Sequence, residues 1–242
     1  MKQLFVNSGI VSLRLFSRLM ISFTRLFPER IKILLRFLIV DEMRNDLSKS
    51  LPSPPIYLKE RHIKNCRLIQ DRGELLKYLP QNAIVSEIGV WEGDFATQIL
   101  NVTSPEKLYL IDSWNHDRKA KERKVITENR FRNQIEAQKV IIVHDDSVNA
   151  LSKFEDDFFD WVYLDSDHSY EYTKKELTVL NKKVKKNGFI AGHDYTRDNW
   201  VAMMRLGVVE AVNEFCTNHD YEFVFLTFEQ SMYFSFVLRK IK

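Results

Sequence analysis

The sequence predicts an α/β fold built on one doubly wound, seven-stranded and mostly parallel sheet. From about residue 70 onward, short runs rich in β-forming residues alternate with helical segments, and this alternation is typical of βαβ units. Two final apolar runs, "YEFVFLTF" and "SMYFSFVL", are separated only by "EQ", which predicts an antiparallel hairpin closing one edge of the sheet. A chain of 242 residues suffices for one large α/β domain and hardly for two.

The predicted elements follow one another in the order that such a sheet requires. The parallel strands are "NAIVSEIG" (82–89), "KLYLID" (107–112), "KVIIVHDD" (139–146), "FFDWVYLD" (158–165) and "NGFIAGHD" (187–194). The helical segments are residues 71–79, 117–135, 147–154, 170–184 and 201–216. Residues 70–242 are therefore predicted to form the sheet-containing domain.

The amino-terminal part differs in composition from this domain. Residues 4–40 are rich in Leu, Phe and Ile, but arginines interrupt every apolar run well before the roughly 20 residues that a membrane span needs. Residues 1–47 are predicted to be an amphipathic helical extension, which packs on the domain or a partner subunit, or lies on an anionic membrane surface. Residues 48–69 begin with three prolines and three serines within 48–57 and are predicted to be a linker and lead-in.

Charge and cysteine content narrow the class of protein. The net charge of +3 is too small to indicate nucleic-acid binding. Cys66 and Cys216 form no CxxC pair, and a reduced cytoplasmic compartment fits them best. Residues 4–40 leave open a peripheral position at the inner membrane face, and the sequence also leaves open a homo-oligomer.

Acidic residues end each of the five predicted parallel strands. They are Glu87, Asp112, Asp145–Asp146, Asp165 and Asp194. In an open parallel sheet the carboxyl ends of the strands share one edge, where ligands bind. Helix capping explains Asp146 before Ser147, but it does not explain Glu87 or Asp112, so an acid-lined crevice is predicted.

The stretch "EIGVWEGDF" predicts the kind of ligand. Gly89 and Gly93 flank a turn from strand to helix and allow a ligand close to the backbone. Trp91 takes the place of the middle glycine of the dinucleotide fingerprint, which is therefore absent. Glu87 disfavours a pyrophosphate and favours a cation, while an acidic residue such as Asp112 commonly binds ribose hydroxyls. A nucleoside with a positive group and no phosphates fits, and S-adenosylmethionine is such a molecule.

Six segments together carry a family resemblance: "EIGVWEG", "LIDSW", "DDSVNAL", "FDWVYLDSDHSYE", "NGFIAGHDY" and "GVVEAVNEF". In order and spacing, residues 80–215 resemble class I S-adenosylmethionine-dependent methyltransferases, which have a Rossmann-like fold. They look most like the small-molecule and sugar O-methyltransferase group that includes macrocin O-methyltransferase-like and cephalosporin-hydroxylase-like proteins. The resemblance does not cover residues 1–60.

This resemblance implies roles for individual cofactor-binding residues. Glu87, Gly89 and Gly93 would hold the methionine end of S-adenosylmethionine. Asp112 would take the ribose hydroxyls, and Trp114 would lie against the adenine. At the next strand end, the carboxylate of Asp146 would meet the adenine amino group, beside the backbone of Ser147.

The resemblance also implies a catalytic centre at the last two parallel strand ends. Asp165 and Asp194 match positions that bind a divalent cation such as Mg²⁺ in metal-dependent O-methyltransferases. Those enzymes often have Asn after the second Asp, where this chain has Tyr195. The third ligand would therefore come from Asp167, His168 or His193, or no metal binds.

Without a metal, His168 or His193 could remove the hydroxyl proton of an acceptor as general base. The predicted acceptor is a sugar, glycan or other small molecule. A nucleic-acid methyltransferase is the less favoured alternative, because "DSDH" replaces the Asn/Asp-Pro-Pro-aromatic stretch of amino-directed enzymes and no basic stripe is evident. A catalytically silent protein that binds a membrane surface or partner is the other alternative.

Overall fold

A computed structural model describes residues 28, 31, 33–34, 38, 55–115, 118–199 and 204–242. The chain divides into two compact units, one of residues 51–200 with 205–242 and one of residues 1–50 with 201–204. The predicted helical extension 1–47 and the interpretations of residues 4–40 lie mostly outside the described residues. Among the residues that are described, no helix is both long enough and apolar enough to cross a bilayer.

The larger unit contains one eight-stranded sheet with the order β1-β9-β10-β6-β5-β2-β3-β4. Its strands are β1 (Arg67–Ile69), β2 (Ile84–Ile88), β3 (Lys107–Asp112), β4 (Val140–His144), β5 (Phe159–Leu164), β6 (Val184–Gly192), β9 (Tyr221–Thr227) and β10 (Phe236–Lys240). Among the described residues outside this sheet there are two further strands of two residues each, β7 (Asp198–Asn199) and β8 (Met204–Arg205).

The predicted sheet type is confirmed, with one additional strand. β10 runs antiparallel to both of its neighbours, β6 and β9, and the other pairs in the sheet are parallel. The eighth strand, β1, comes from the predicted lead-in and pairs with β9, so the closing hairpin is not outermost. Three residues are too few to show a strand periodicity, which is why the sequence indicated seven strands.

Helices connect the strands. They are α1 (Glu60–Ile63), α2 (Arg72–Leu75), α3 (Asp94–Thr103), α4 (Ala120–Arg130), α5 (Arg132–Glu136), α6 (Ser147–Ser152), α7 (Tyr170–Lys183) and α8 (Val208–His219). The predicted helix 117–135 is divided between α4 and α5 at Phe131, where the backbone leaves helical geometry. Phe131 is buried and packs beside the glycine turn described below, so tertiary packing has overridden the helical pattern.

Both faces of the sheet are covered by apolar clusters. In the central strand β5, Trp161 and Tyr163 point into one cluster, and Val162 and Leu164 point into the other. A strand that is buried on both faces has a nearly continuous apolar sequence, as "FFDWVYL" does. Since β2, β3, β5 and β6 are parallel neighbours, the polar residues at their carboxyl ends meet at one edge of the sheet, beyond the core.

Candidate active site

The turn after β2 is shaped by two glycines with positive φ. Gly89 has φ +87°, and a Cβ there would lie 2.0 Å from the backbone oxygen of Asp165. Gly93 has φ +80°, and a Cβ there would lie 2.6 Å from the ring of Phe131. Only glycine tolerates both this backbone conformation and such a close contact. At Gly89 the turn lies directly against the residue that follows β5.

The carboxylate of Asp112 holds this turn from the neighbouring strand. Its Oδ2 accepts hydrogen bonds from the backbone N–H groups of Val90 at 2.8 Å and Trp91 at 3.0 Å. Its Oδ1 accepts one from the N–H of Trp114 at 2.7 Å. Because these three backbone N–H groups converge on a buried carboxylate, they hold the end of β3 and the glycine turn in a fixed relative position.

Glu87 lies in β2, just before the glycine turn, and is almost completely buried. Its Oε2 has no hydrogen-bond partner among the described residues. Burial raises the pKa of Glu87 well above its usual range, and the nearby charge of Asp165 raises it further. A buried carboxyl oxygen without a donor is costly, and a donor or cation from a ligand would relieve this cost.

These residues surround a cleft of about 410 Å³. Its lining includes Glu87, Gly89, Trp91 and Asp112 from the turn region, and Asp165, Ser166 and His168 from the end of β5. The volume is within the range of small-molecule sites. Of the five acidic strand ends predicted to line one crevice, Glu87, Asp112 and Asp165 line this cleft, whereas Asp145–Asp146 and Asp194 are not among its lining residues.

Two aspartates and two histidines lie together beside the cleft. Nε2 of His168 is 3.2 Å from Oδ2 of Asp194, and Nδ1 of His193 is 3.4 Å from Oδ1 of Asp194. Nδ1 of His193 is also 3.8 Å from Oδ1 of Asp165. One ligand atom each from Asp165, His168 and Asp194 lies within 4.8 Å of the others, so these three residues could share one metal ion.

The charges of this cluster are strongly coupled. Burial raises the pKa of Asp165 against the opposing influence of the two histidines. Burial also opposes ionisation of Asp194, but its hydrogen bond with His193 and the charge of His168 lower the pKa of Asp194 overall. For His193 burial alone would lower the pKa, but the neighbouring carboxylates of Asp194 and Glu229 raise it to about 9.

Of the residues predicted to surround the adenine, Asp146 and Ser147 lie at the start of α6, and Trp114 follows β3. Asp146 caps α6 by accepting from the N–H of Asn149 at 3.1 Å, and Tyr172 donates its hydroxyl to the same carboxylate. Ser147 is buried. Trp114 is also buried and donates its indole N–H to the carbonyl of Trp91 at 3.0 Å. Contacts of these residues with a cofactor stay predictions.

Sequence reasoning missed three polar residues of this region. Arg72 in α2 lines the cleft, and its Nη1 lies 3.5 Å from Oδ2 of Asp165. Oε2 of Glu229, after β9, lies 4.0 Å from Nε2 of His193. Glu176 in α7 is fully buried and accepts a hydrogen bond from Ser166 at 2.6 Å. Arg72 and Glu229 lie far along the chain from their partners, and Glu176 lies on a helix of ordinary amphipathic pattern. For these reasons no sequence motif marks any of the three.

The sheet order, the single antiparallel strand β10 and the glycine turn beside an acidic strand end together define a class of fold. It is the class I, S-adenosylmethionine-dependent methyltransferase fold. Residues 86–195 match a family described as "Methyltransferase domain", and this range contains the glycine turn and all four residues of the Asp–His cluster. Less than half of the chain is matched in this way, and the match agrees with the fold.

Solved structures agree with this fold assignment. A candidate rRNA methylase from Clostridium thermocellum shares 14% identity and a TM-score of 0.54, covering 72% of this chain and 99% of that one. A candidate methyltransferase from Streptococcus mutans in complex with SAH shares 12% identity and a TM-score of 0.51, covering 70% and 95%. The pyocyanin biosynthetic protein PhzM shares 12% identity and a TM-score of 0.54 over 70% of this chain, which spans about half of PhzM (54%). No curated protein matches the chain.

Proposed function

We propose that the protein is an S-adenosylmethionine-dependent O-methyltransferase that acts on a hydroxyl of a sugar, glycan or other small molecule. The observation that carries the proposal is Glu87, whose buried Oε2 lacks a partner among the described residues at the base of the cleft. A cationic amino group of a bound ligand would satisfy this oxygen. The matched methyltransferase domain supports the same ligand.

The other residues of the cleft fit the cofactor as well. The Asp112 carboxylate lines the cleft at the end of the second parallel strand. An acidic residue in this position of an open parallel sheet commonly binds ribose hydroxyls. The acidic lining would repel phosphates, which favours a nucleoside ligand without them. When bound, S-adenosylmethionine would supply an electrophilic methyl carbon.

Asp165, His168 and Asp194 fit a divalent cation, and we include one in the proposal. Two carboxylates are suitable for Mg²⁺, and the added imidazole nitrogen of His168 suits Mn²⁺ or another transition metal better. When bound, such a cation supplies Lewis acidity to an acceptor hydroxyl. Asp167, the neighbouring acidic residue, is exposed and accepts a hydrogen bond from the N–H of Ser169 at 2.7 Å, so it is the weaker candidate ligand.

In the metal-free alternative, His168 is the group that would take the acceptor proton, because His193, with a pKa raised to about 9, already carries a proton near neutral pH. The ring of His193 lies between Asp194, 3.4 Å from its Nδ1, and Glu229, 4.0 Å from its Nε2. His168 is partly exposed and reaches both the cleft and Asp194. Methyl transfer to oxygen needs an acceptor held in line with the methyl group, and this cluster is the polar surface that could hold it.

The experiment is methyl transfer from labelled S-adenosylmethionine to three acceptor pools: hydroxylated small molecules, extracted glycans and RNA. Each pool is tested with Mg²⁺, with Mn²⁺ and with excess chelator. The proposal expects label in the small-molecule or glycan pool and a loss of transfer with chelator. Label only in RNA would contradict the proposed acceptor class, and transfer indifferent to chelator would contradict the metal.

A further inference from the structure

We infer that Arg72 binds the carboxylate of the amino-acid moiety of the cofactor, opposite the ammonium site at Glu87. The inference rests on the proposed function. Arg72 belongs to α2 and lies outside the matched domain of residues 86–195. It would make α2, which precedes the matched range, part of the cofactor site.

The guanidinium of Arg72 is held in place by packing. Its Cζ lies 4.7 Å from the ring centroid of Phe95, a contact that fixes the plane of the group. Its Nη1 lies 3.5 Å from Oδ2 of Asp165, which is longer than the 2.7–2.9 Å typical of a charge-assisted hydrogen bond. An arginine has five N–H donors, and this long contact leaves the group capable of binding a second carboxylate.

A ligand carboxylate in this cleft would need a cation to receive it. Among the described residues that line it, Arg72 is the only arginine or lysine, and the acidic residues are Glu87, Glu92, Asp94, Asp112 and Asp165. A ligand carboxylate would be repelled by this lining unless a cation received it. Arginine suits the role because its planar fork matches a carboxylate with two parallel hydrogen bonds.

Arg72 and Glu87 are also close enough to influence each other. Burial and Asp165 raise the pKa of Glu87, and the charge of Arg72 opposes them. The same small cleft is thus lined by a cation, Arg72, and by the buried carboxyl oxygen of Glu87, which has no partner among the described residues. An α-amino acid group, with ammonium and carboxylate on one carbon, is complementary to this pair.

The test is calorimetric binding of three ligands to the full chain. S-adenosylhomocysteine carries the complete amino-acid group, its decarboxylated analogue lacks only the carboxylate, and 5′-methylthioadenosine lacks the whole amino-acid group. The variants are Arg72→Gln and Arg72→Lys. The control is Arg67→Gln, because Arg67 also packs on aromatic rings, those of Tyr78 and Phe225, but does not line the cleft.

The expected result is selective. Arg72→Gln weakens S-adenosylhomocysteine about 10- to 100-fold, and 5′-methylthioadenosine and the decarboxylated analogue by less than about twofold. Arg72→Lys keeps the charge without the fork and gives a smaller loss, and it remains informative if Arg72→Gln fails to fold. Arg67→Gln changes none of the three.

Equal weakening of all three ligands, or no weakening of S-adenosylhomocysteine in either Arg72 variant, would overturn the inference. The proposed function can fail separately. If the wild type binds neither S-adenosylhomocysteine nor 5′-methylthioadenosine, the cofactor assignment is wrong and the inference is overturned with it. If it binds both without dependence on Arg72, only the inference is wrong.

Discussion

Nε2 of His168 lies 3.2 Å from Oδ2 of Asp194, although the two residues follow different strands. His168 belongs to the loop after β5, and Asp194 follows the end of β6. Because β5 and β6 are parallel neighbours, their ends place His168 and Asp194 beside Asp165. This convergence of a nitrogen and carboxylate oxygens is the basis of the proposed metal site.

Substitution of these residues is expected to weaken metal binding. Asp194→Asn and His168→Gln each remove one ligand from a set of three, and we expect each to weaken Mn²⁺ binding at least about tenfold. The measurement is titration of Mn²⁺ followed by electron paramagnetic resonance of the free ion. The matched control is Asp167→Asn, on the same loop but exposed. Loss of Mn²⁺ binding in the control, or its retention in both ligand variants, would contradict the site.

Gly89→Ala is expected to destabilise the fold severely. A Cβ at this position would lie 2.0 Å from the backbone oxygen of Asp165 and would sit on a residue with φ +87°. We expect a loss of about 3 kcal/mol or more in the free energy of unfolding, measured in urea. Gly73→Ala is the control, since its Cβ meets only side-chain atoms, at 3.3 Å and beyond, and should change stability by about 1 kcal/mol or less. Equal effects would show that the turn can move away from β5.

Glu176 is expected to make stability depend on pH. Burial raises its pKa from 4.5 to about 8, although Ser147 and Ser166 donate hydrogen bonds to it. Since the pKa of Glu176 is higher in the folded than in the unfolded state, the folded protein binds more protons between about pH 4.5 and about pH 8. The free energy of unfolding therefore falls as pH rises through this window.

The Glu176→Gln variant isolates this effect because glutamine resembles the protonated carboxyl. Near pH 5 its free energy of unfolding should be close to that of the wild type. Near pH 9 the variant should be more stable, by a difference on the order of 4 kcal/mol. Urea unfolding of both proteins across the range measures the difference. Parallel stability curves would contradict a raised pKa at Glu176.

Glu87 is expected to lose a proton when the cofactor binds. Its pKa is raised by burial and by Asp165, and an incoming ammonium group would lower it again. S-adenosylhomocysteine binding should therefore release protons, seen as a binding enthalpy that depends on the ionisation enthalpy of the buffer. Glu87→Gln should bind more weakly and without buffer dependence. Proton release that persists in this variant would place the titrating group elsewhere.

Much of this site could be predicted from local sequence patterns. Alternating strands and helices predict the sheet, and a parallel sheet brings its acidic strand ends to one edge. For this reason Glu87, Asp112 and Asp165, which lie far apart in sequence, line one cleft.

Local patterns could not predict residues that act through distant contacts. Arg72 precedes Asp165 by 93 positions and sits in a four-residue helix with no motif around it. Glu229 reaches His193 from beyond β9 through the hairpin order. The break in the predicted helix at Phe131 arises because the ring packs on the backbone of Gly93, a tertiary effect that helical periodicity does not contain.

The most direct test is calorimetric titration of S-adenosylhomocysteine into the wild type, Asp112→Ala and Asp156→Ala. Asp112 holds the glycine turn. Asp156, in contrast, is exposed, precedes the amino end of β5 and forms an ion pair with Lys183. We predict one-site binding to the wild type and to Asp156→Ala, and binding at least about tenfold weaker to Asp112→Ala. No binding to the wild type, or equal binding to all three proteins, would contradict a cofactor site at the ends of β2 and β3.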